Sequence, residues 1–140
     1  MIWVIDASVA VKWVLQEQHS SVAEEFLAQD LLAPELLLVE CANVFWHKVS
    51  QREMSAAVAE IALRGILGVG IEFVADEALL LRALSMANQI KHPVCDCLYA
   101  ALAELRGAPM VTADEKFVRV YRTKRLVETP AKIFLLSEVP

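Results

Sequence analysis

Ile2-Trp3-Val4-Ile5, cut short by Asp6-Ala7-Ser8, is the stretch whose reading decides the fold. Four consecutive apolar residues, three of them β-branched and with no polar alternation, form the pattern of a strand covered on both faces. The break places Asp6 just beyond the strand's carboxyl end. The same grammar returns at Pro109-Met110-Val111-Thr112, which is followed by a turn carrying Asp114. Leu31-Leu32-Ala33, ended by Pro34, and Ile71 to Val74 read as further short strands, with Leu126-Val127 as the last.

Helical stretches fill the intervals. Val9 to Leu15 is the first, and Ser20 or Ser21 can cap a second that runs to about Gln29. Glu35 to Ser50 is long, and Met54 to about Leu67 is closed by the Gly-rich segment from Gly65 to Gly70. Asp76 can cap a helix from Glu77 to Ile90, which His92-Pro93 ends. Val94 to Arg106 stops at Gly107, and Glu115 to Tyr121 is short. Short apolar strands alternating with helices imply an α/β fold: a three-layer α/β/α sandwich on a parallel sheet of about five strands. The length of 140 residues, without repeats or a linker, reads as one domain over 1–140.

Composition narrows the setting. The hydrophobic fraction is 57%, above the roughly 45–50% of ordinary domains. That leaves apolar surface for a partner. No apolar run approaches the roughly 20 residues of a spanning helix, and the N-terminus has no basic segment before its apolar run. A cytoplasmic protein is expected. Three cysteines, Cys41, Cys95 and Cys97, lack a Cys-x-x-Cys pair and read as buried free thiols. Net charge is −5, yet Lys116, Arg119, Arg122, Lys124, Arg125 and Lys132 are opposed over their span only by Glu128. A solvated face is the plainer account of such a run. A local patch of this kind, with Arg119, Arg122, Lys124 and Arg125 at its centre, can also hold phosphates.

In open α/β sheets ligands sit beyond the carboxyl ends of the strands. Asp occurs only five times, and two of these, Asp6 and Asp114, directly follow the clearest strands. Each alone could be an ordinary helix cap; together they point to a site. Asp96 opens an almost wholly apolar helix, where it could simply favour the helix dipole. Glu40 lies within the apolar helix Leu36 to Trp46, and a buried carboxylate without a partner is costly. Asn43 and His47 share its face. Carboxylates converging on one point need a cation. Hard oxygen donors favour Mg²⁺ or Mn²⁺, ions that assist phosphodiester hydrolysis. His19, His47 and His92 have no metal-ligand spacing and read as structural or surface residues. No P-loop or Ser-His-Asp set competes.

Val4-Ile5-Asp6-Ala7-Ser8-Val9-Ala10-Val11-Lys12-Trp13, Pro34 to Asn43, Asp96-Cys97-Leu98-Tyr99-Ala100-Ala101 and Val111-Thr112-Ala113-Asp114-Glu115-Lys116-Phe117 together resemble the PIN-domain family. More narrowly they resemble the VapC-type toxins of prokaryotic toxin–antitoxin pairs. The resemblance spans nearly the whole chain, in order. It implies a Mg²⁺- or Mn²⁺-dependent endoribonuclease with Asp6, Glu40, Asp96 and Asp114 as acidic ligands and Ser8, Asn43 and Thr112 in support. It further implies a homodimer acting on RNA and silenced by a small antitoxin. Trp13, Phe45 and Trp46 are large apolar groups that could serve the core or these partners. A haloacid-dehalogenase-like phosphatase would also place an Asp after the first strand, but it wants a second Asp where Ser8 stands. A non-catalytic RNA- or protein-binding scaffold is the other alternative.

Overall fold

A computed structural model describes residues 1–139. Its sheet has five parallel strands: β1 (Ile2–Ile5), β2 (Asp30–Pro34), β3 (Glu72–Val74), β4 (Met110–Thr112) and β5 (Ile133–Leu135), in the order β3-β2-β1-β4-β5. Seven helices flank it: α1 (Ala7–Ala10), α2 (Ser20–Glu25), α3 (Leu36–Ser50), α4 (Ala56–Leu67), α5 (Leu80–Ile90), α6 (Val94–Arg106) and α7 (Glu115–Lys124). The α/β sandwich expected from the sequence is the fold observed.

The order explains the layers. From β1 the chain steps outward to β2 and β3, then returns to the other side of β1 for β4 and β5. Right-handed crossovers therefore put the helices of the two halves on opposite faces. α3 meets β2 on one face, while α6 lies across β1, β2 and β4 and α7 meets β5 on the other. The strand order reverses between β1 and β4, where Val4 pairs with Met110 and Ile5 with Val111. That register brings the carboxyl ends of both strands side by side.

α6 anchors the core. Cys97 through Ala103 are all buried, because small and apolar side chains cover every side of this stretch. Fully burying a Leu, Ile or Phe is worth about 1.5–3 kcal/mol, and Ile5, Leu32, Leu37, Leu102 and Phe117 are all within 1 % of complete burial. Helix ends follow local chemistry: Ser55 accepts from the Val58 amide to cap α4, and Gly107 takes the left-handed φ of 59° that ends α6.

Several boundaries differ from the sequence reading. Leu126-Val127 is not a strand; Leu126 is 77 % exposed, and the last strand is Ile133–Leu135. The first helix is short and passes into a 3₁₀ turn at Val11–Trp13. Ser20 does not cap α2 with its side chain. Its hydroxyl donates to the Leu15 carbonyl and accepts from the Glu17 amide. Asp76 does not cap the helix that follows it; its carboxylate accepts from the Leu36 amide at the start of α3. Cys95 is exposed, whereas Cys41 and Cys97 are buried thiols that burial pushes up to about 12.

Candidate acidic site at the strand ends

Asp6 follows β1 and is 8 % exposed. Although it occupies the N-cap position of α1, its carboxylate closes no capping bond there. Instead Oδ2 accepts from Ser8 Oγ at 2.9 Å and from Thr112 Oγ1 at 2.5 Å. Thr112 is fully buried at the end of β4, so the β1–β4 pairing itself carries its hydroxyl to Asp6. The Ser8 hydroxyl in turn accepts from the Ala113 amide, and Thr112 Oγ1 from the Asp114 amide. Burial raises the Asp6 carboxyl above its ordinary value. The Thr112 and Ser8 hydroxyls oppose that rise, and the Asp96 charge adds to it.

Glu40 stands one turn into α3, whose amino end is fixed by Asp76. Its Oε1 accepts from the hydroxyl of Tyr99, a fully buried α6 residue. Burial raises Glu40 most; the Tyr99 bond opposes this, and the negative charges of Asp6, Asp96 and Asp76 raise it further. Asp96, in the first turn of α6, holds His92 Nε2 at 2.6 Å through Oδ2. The structure thus brings Asp6, Glu40 and Asp96 within one another's fields. Asp114 is tied to Thr112 through its backbone amide, and its carboxylate caps α7, accepting from the Phe117 amide.

Each of these four carboxylates has one oxygen held by a protein donor. Among the described residues the other oxygen of Glu40, Asp96 and Asp114 (Oε2, Oδ1 and Oδ2) has no donor, while Asp6 is also reached by the Ser8 backbone amide. No Lys or Arg among the described residues pairs with any of the four. An oxygen donor set without a Lys or Arg partner among the described residues fits a hard divalent ion in donor chemistry. As the side chains stand, no three His, Cys, Asp or Glu among the described residues are gathered tightly enough to share one ion.

Other singled-out residues fall outside this cluster. Asn43 is exposed on α3. Arg125 forms a two-nitrogen contact with the Glu104 carboxylate, the side chains 10 % and 9 % exposed. Arg122 reaches Glu138 and the Ile133 carbonyl. Both arginines are thus engaged within the fold, while Arg119 and Lys124 on α7 are exposed. Tyr99 and His92 touch the acidic residues without having been singled out for that part. His92 stands four residues before Asp96, the one signal its sequence position offered, whereas Tyr99 meets Glu40 across 59 positions, which no spacing shows.

A parallel α/β sheet with acidic residues beyond its strand ends, beside the switch point, is the class of protein that the fold defines. The family model of the PIN domain matches residues 3–123, and the chain belongs to that family. No curated protein matches the sequence. Among solved structures, PAE2754 from Pyrobaculum aerophilum is similar over 98 % of this chain and 85 % of its own, at 19 % identity and a TM-score of 0.73. VapBC2 from Rickettsia felis, bound to a DNA fragment from its promoter, is similar over 96 % of this chain and 98 % of its own, at 14 % identity and a TM-score of 0.63. A toxin–antitoxin complex from Klebsiella pneumoniae is similar over 81 % of this chain and 87 % of its own, at 14 % identity and a TM-score of 0.60. At these identities the likeness is one of fold.

Proposed function

We propose that the chain is a Mg²⁺- or Mn²⁺-dependent endoribonuclease and the toxin of a toxin–antitoxin pair, acting in the cytoplasm. The observation that carries this reading is the set of carboxylates at the strand ends, with Asp6, Glu40 and Asp96 within one another's fields and, among the described residues, neither these nor Asp114 paired with Lys or Arg. Membership in the PIN domain family and likeness to the two toxin–antitoxin structures support it.

Asp6, Glu40, Asp96 and Asp114 would hold the ion. A divalent ion bound there would supply charge neutralisation for a phosphodiester and would acidify an attacking water. The chain's own part is to hold ligands in place. Ser8 and Thr112 fix one Asp6 oxygen, Tyr99 fixes one of Glu40, and the Phe117 amide fixes one of Asp114. Burial of Asp6 keeps bulk water from screening its charge. Lys116, Arg119 and Lys124 are exposed cations on α7 available to an RNA backbone.

The antitoxin would cover α3 and α4, where Ala42, Trp46, Val49, Ala56, Ala59 and Leu63 line an open apolar depression on which an amphipathic helix could dock. Trp46 is 64 % exposed there, forgoing burial a partner would restore. A second copy would cover the exposed leucines of α5, Leu80, Leu81 and Leu84. No helix among the described residues is long and apolar enough to cross a membrane.

The test is cleavage of structured RNA by the purified chain in Mg²⁺, Mn²⁺ or excess EDTA. Cutting that requires the ion supports the reading, and equal cutting in EDTA overturns it. The phosphatase alternative predicts a trapped phosphoenzyme instead. It gains nothing from the structure, since Ser8, where its second Asp would stand, is engaged with Asp6 and the Ala113 amide.

A further inference from the structure

We propose that His92 is a positioning residue for Asp96: it ties down one carboxylate oxygen so that the other faces the ion. This rests on the metal-site reading above. His92 lies in the link between α5 and α6, bracketed by Lys91, whose left-handed φ of 56° ends α5, and by Pro93 at the start of α6. Its amide donates to the Ala87 carbonyl. Its ring lies against Phe117 of α7, with centroids 5.1 Å apart, and its side chain is only 8 % exposed. Three helices therefore set the ring's place, which a surface histidine would not need.

From there Nε2 meets Asp96 Oδ2 at 2.6 Å. A carboxylate can only accept, so Nε2–H is the donor, and the bond fixes the tautomer. Asp96 is in the first turn of α6 with a side chain 31 % exposed. Without His92 its carboxylate would rotate between rotamers, and an ion would have to select one. Groups that orient a ligand from behind typically change metal affinity by about 10–100-fold when lost. The same design serves the other acids, through Thr112 and Ser8 on Asp6 and Tyr99 on Glu40. His92 differs in lying outside any helix or strand, in the link between α5 and α6.

His92→Gln and His92→Met form a matched pair of near-equal length and volume, one with an N–H donor and one without. Mn²⁺ binding is measured by titration calorimetry on the whole chain, beside melting curves in EDTA. We expect His92→Met to weaken Mn²⁺ by about tenfold and His92→Gln to recover most of that, with similar melting temperatures in EDTA. Equal Mn²⁺ affinity in wild type and both variants overturns the proposal, as does an equal loss in both. Wild type that binds no Mn²⁺ overturns the metal site itself, and the role of His92 with it. If a variant does not fold, ¹⁵N NMR of the wild-type imidazole decides. A proton on Nε2 that persists when Mg²⁺ is added supports the proposal, and a neutral ring protonated only at Nδ1 refutes it.

Discussion

Tyr99→Phe removes one hydroxyl and nothing else from a fully buried ring in the middle of α6. That hydroxyl donates to Glu40 Oε1, and a hydrogen bond to a charged group is worth about 1.5–3 kcal/mol. The loss should fall mainly on function. Phe fills the same space and leaves no unsatisfied donor, and half-buried Glu40 can recruit water, so the net cost to folding is about 1 kcal/mol. For Glu40 the sign is definite. The Tyr99 bond is the group that opposes its upward shift, while burial and the charges of Asp6, Asp96 and Asp76 drive it. Without the bond, protons compete with the cation to higher pH. Cleavage as a function of Mg²⁺ should then need about 10–100-fold more ion, and the acidic limb of its pH profile should move upward. The assay is RNA cleavage across pH and Mg²⁺ concentration, with thermal melting as the control. A variant with unchanged Mg²⁺ dependence and an unmoved acidic limb would refute the reasoning.

Other outcomes follow from the same geometry. In EDTA, Asp6 and Glu40 have carboxyls raised above their ordinary values of 3.8 and 4.5. Their contribution to stability is fully present below those values and lost as pH rises through the raised ones. Melting temperatures of wild type should therefore fall more between mildly acidic and neutral pH than those of an Asp6→Asn, Glu40→Gln double variant. Arg125→Ala strands the buried Glu104 carboxylate and should cost about 3–5 kcal/mol by denaturant melting, whereas Arg119→Ala with Lys124→Ala should leave stability intact and flatten the salt dependence of RNA binding. Trp46→Glu should not change the melting temperature, because the side chain is 64 % exposed, yet should weaken capture by a cognate antitoxin in a binding titration.

Most of the fold was legible because its strands are apolar runs that stop abruptly. Ile2–Ile5 and Met110–Thr112 end on a polar residue or turn at the sheet edge, and that stop places Asp6 and Asp114 on one edge from the sequence alone. Leu126-Val127 misled because two apolar residues beside a basic run look like a strand, while Ile133-Phe134-Leu135 lies behind Thr129-Pro130 and pairs with β4 only through tertiary contact. Caps were readable as residue types but not as partners. Asp76 has the chemistry of a cap, and spacing alone cannot show that it serves α3, some forty residues earlier. The same holds at the site. Glu40 stood out as an acid in an apolar helix, but its donor Tyr99 lies 59 positions away. The basic run was visible as charge, and only the fold distinguishes Arg125, locked on Glu104, from exposed Arg119.

The central claim is that the four acids are a cation site rather than structural caps, and Asp6→Asn tests it most directly. Asn preserves shape and can accept from Thr112 and Ser8 through its oxygen, and the Asp6 carboxylate closes no capping bond on α1. The measurement is a pair of melting curves, in EDTA and in saturating Mg²⁺, for wild type and variant, beside RNA cleavage. In EDTA the variant should match or exceed wild type, since one member of a repelling set is neutralised. In Mg²⁺, wild type should gain about 2.7 kcal/mol at one hundred times its dissociation constant, and the variant little, with cleavage nearly abolished. A variant that melts far below wild type in EDTA, or that gains as much from Mg²⁺ and still cuts RNA, would contradict the account.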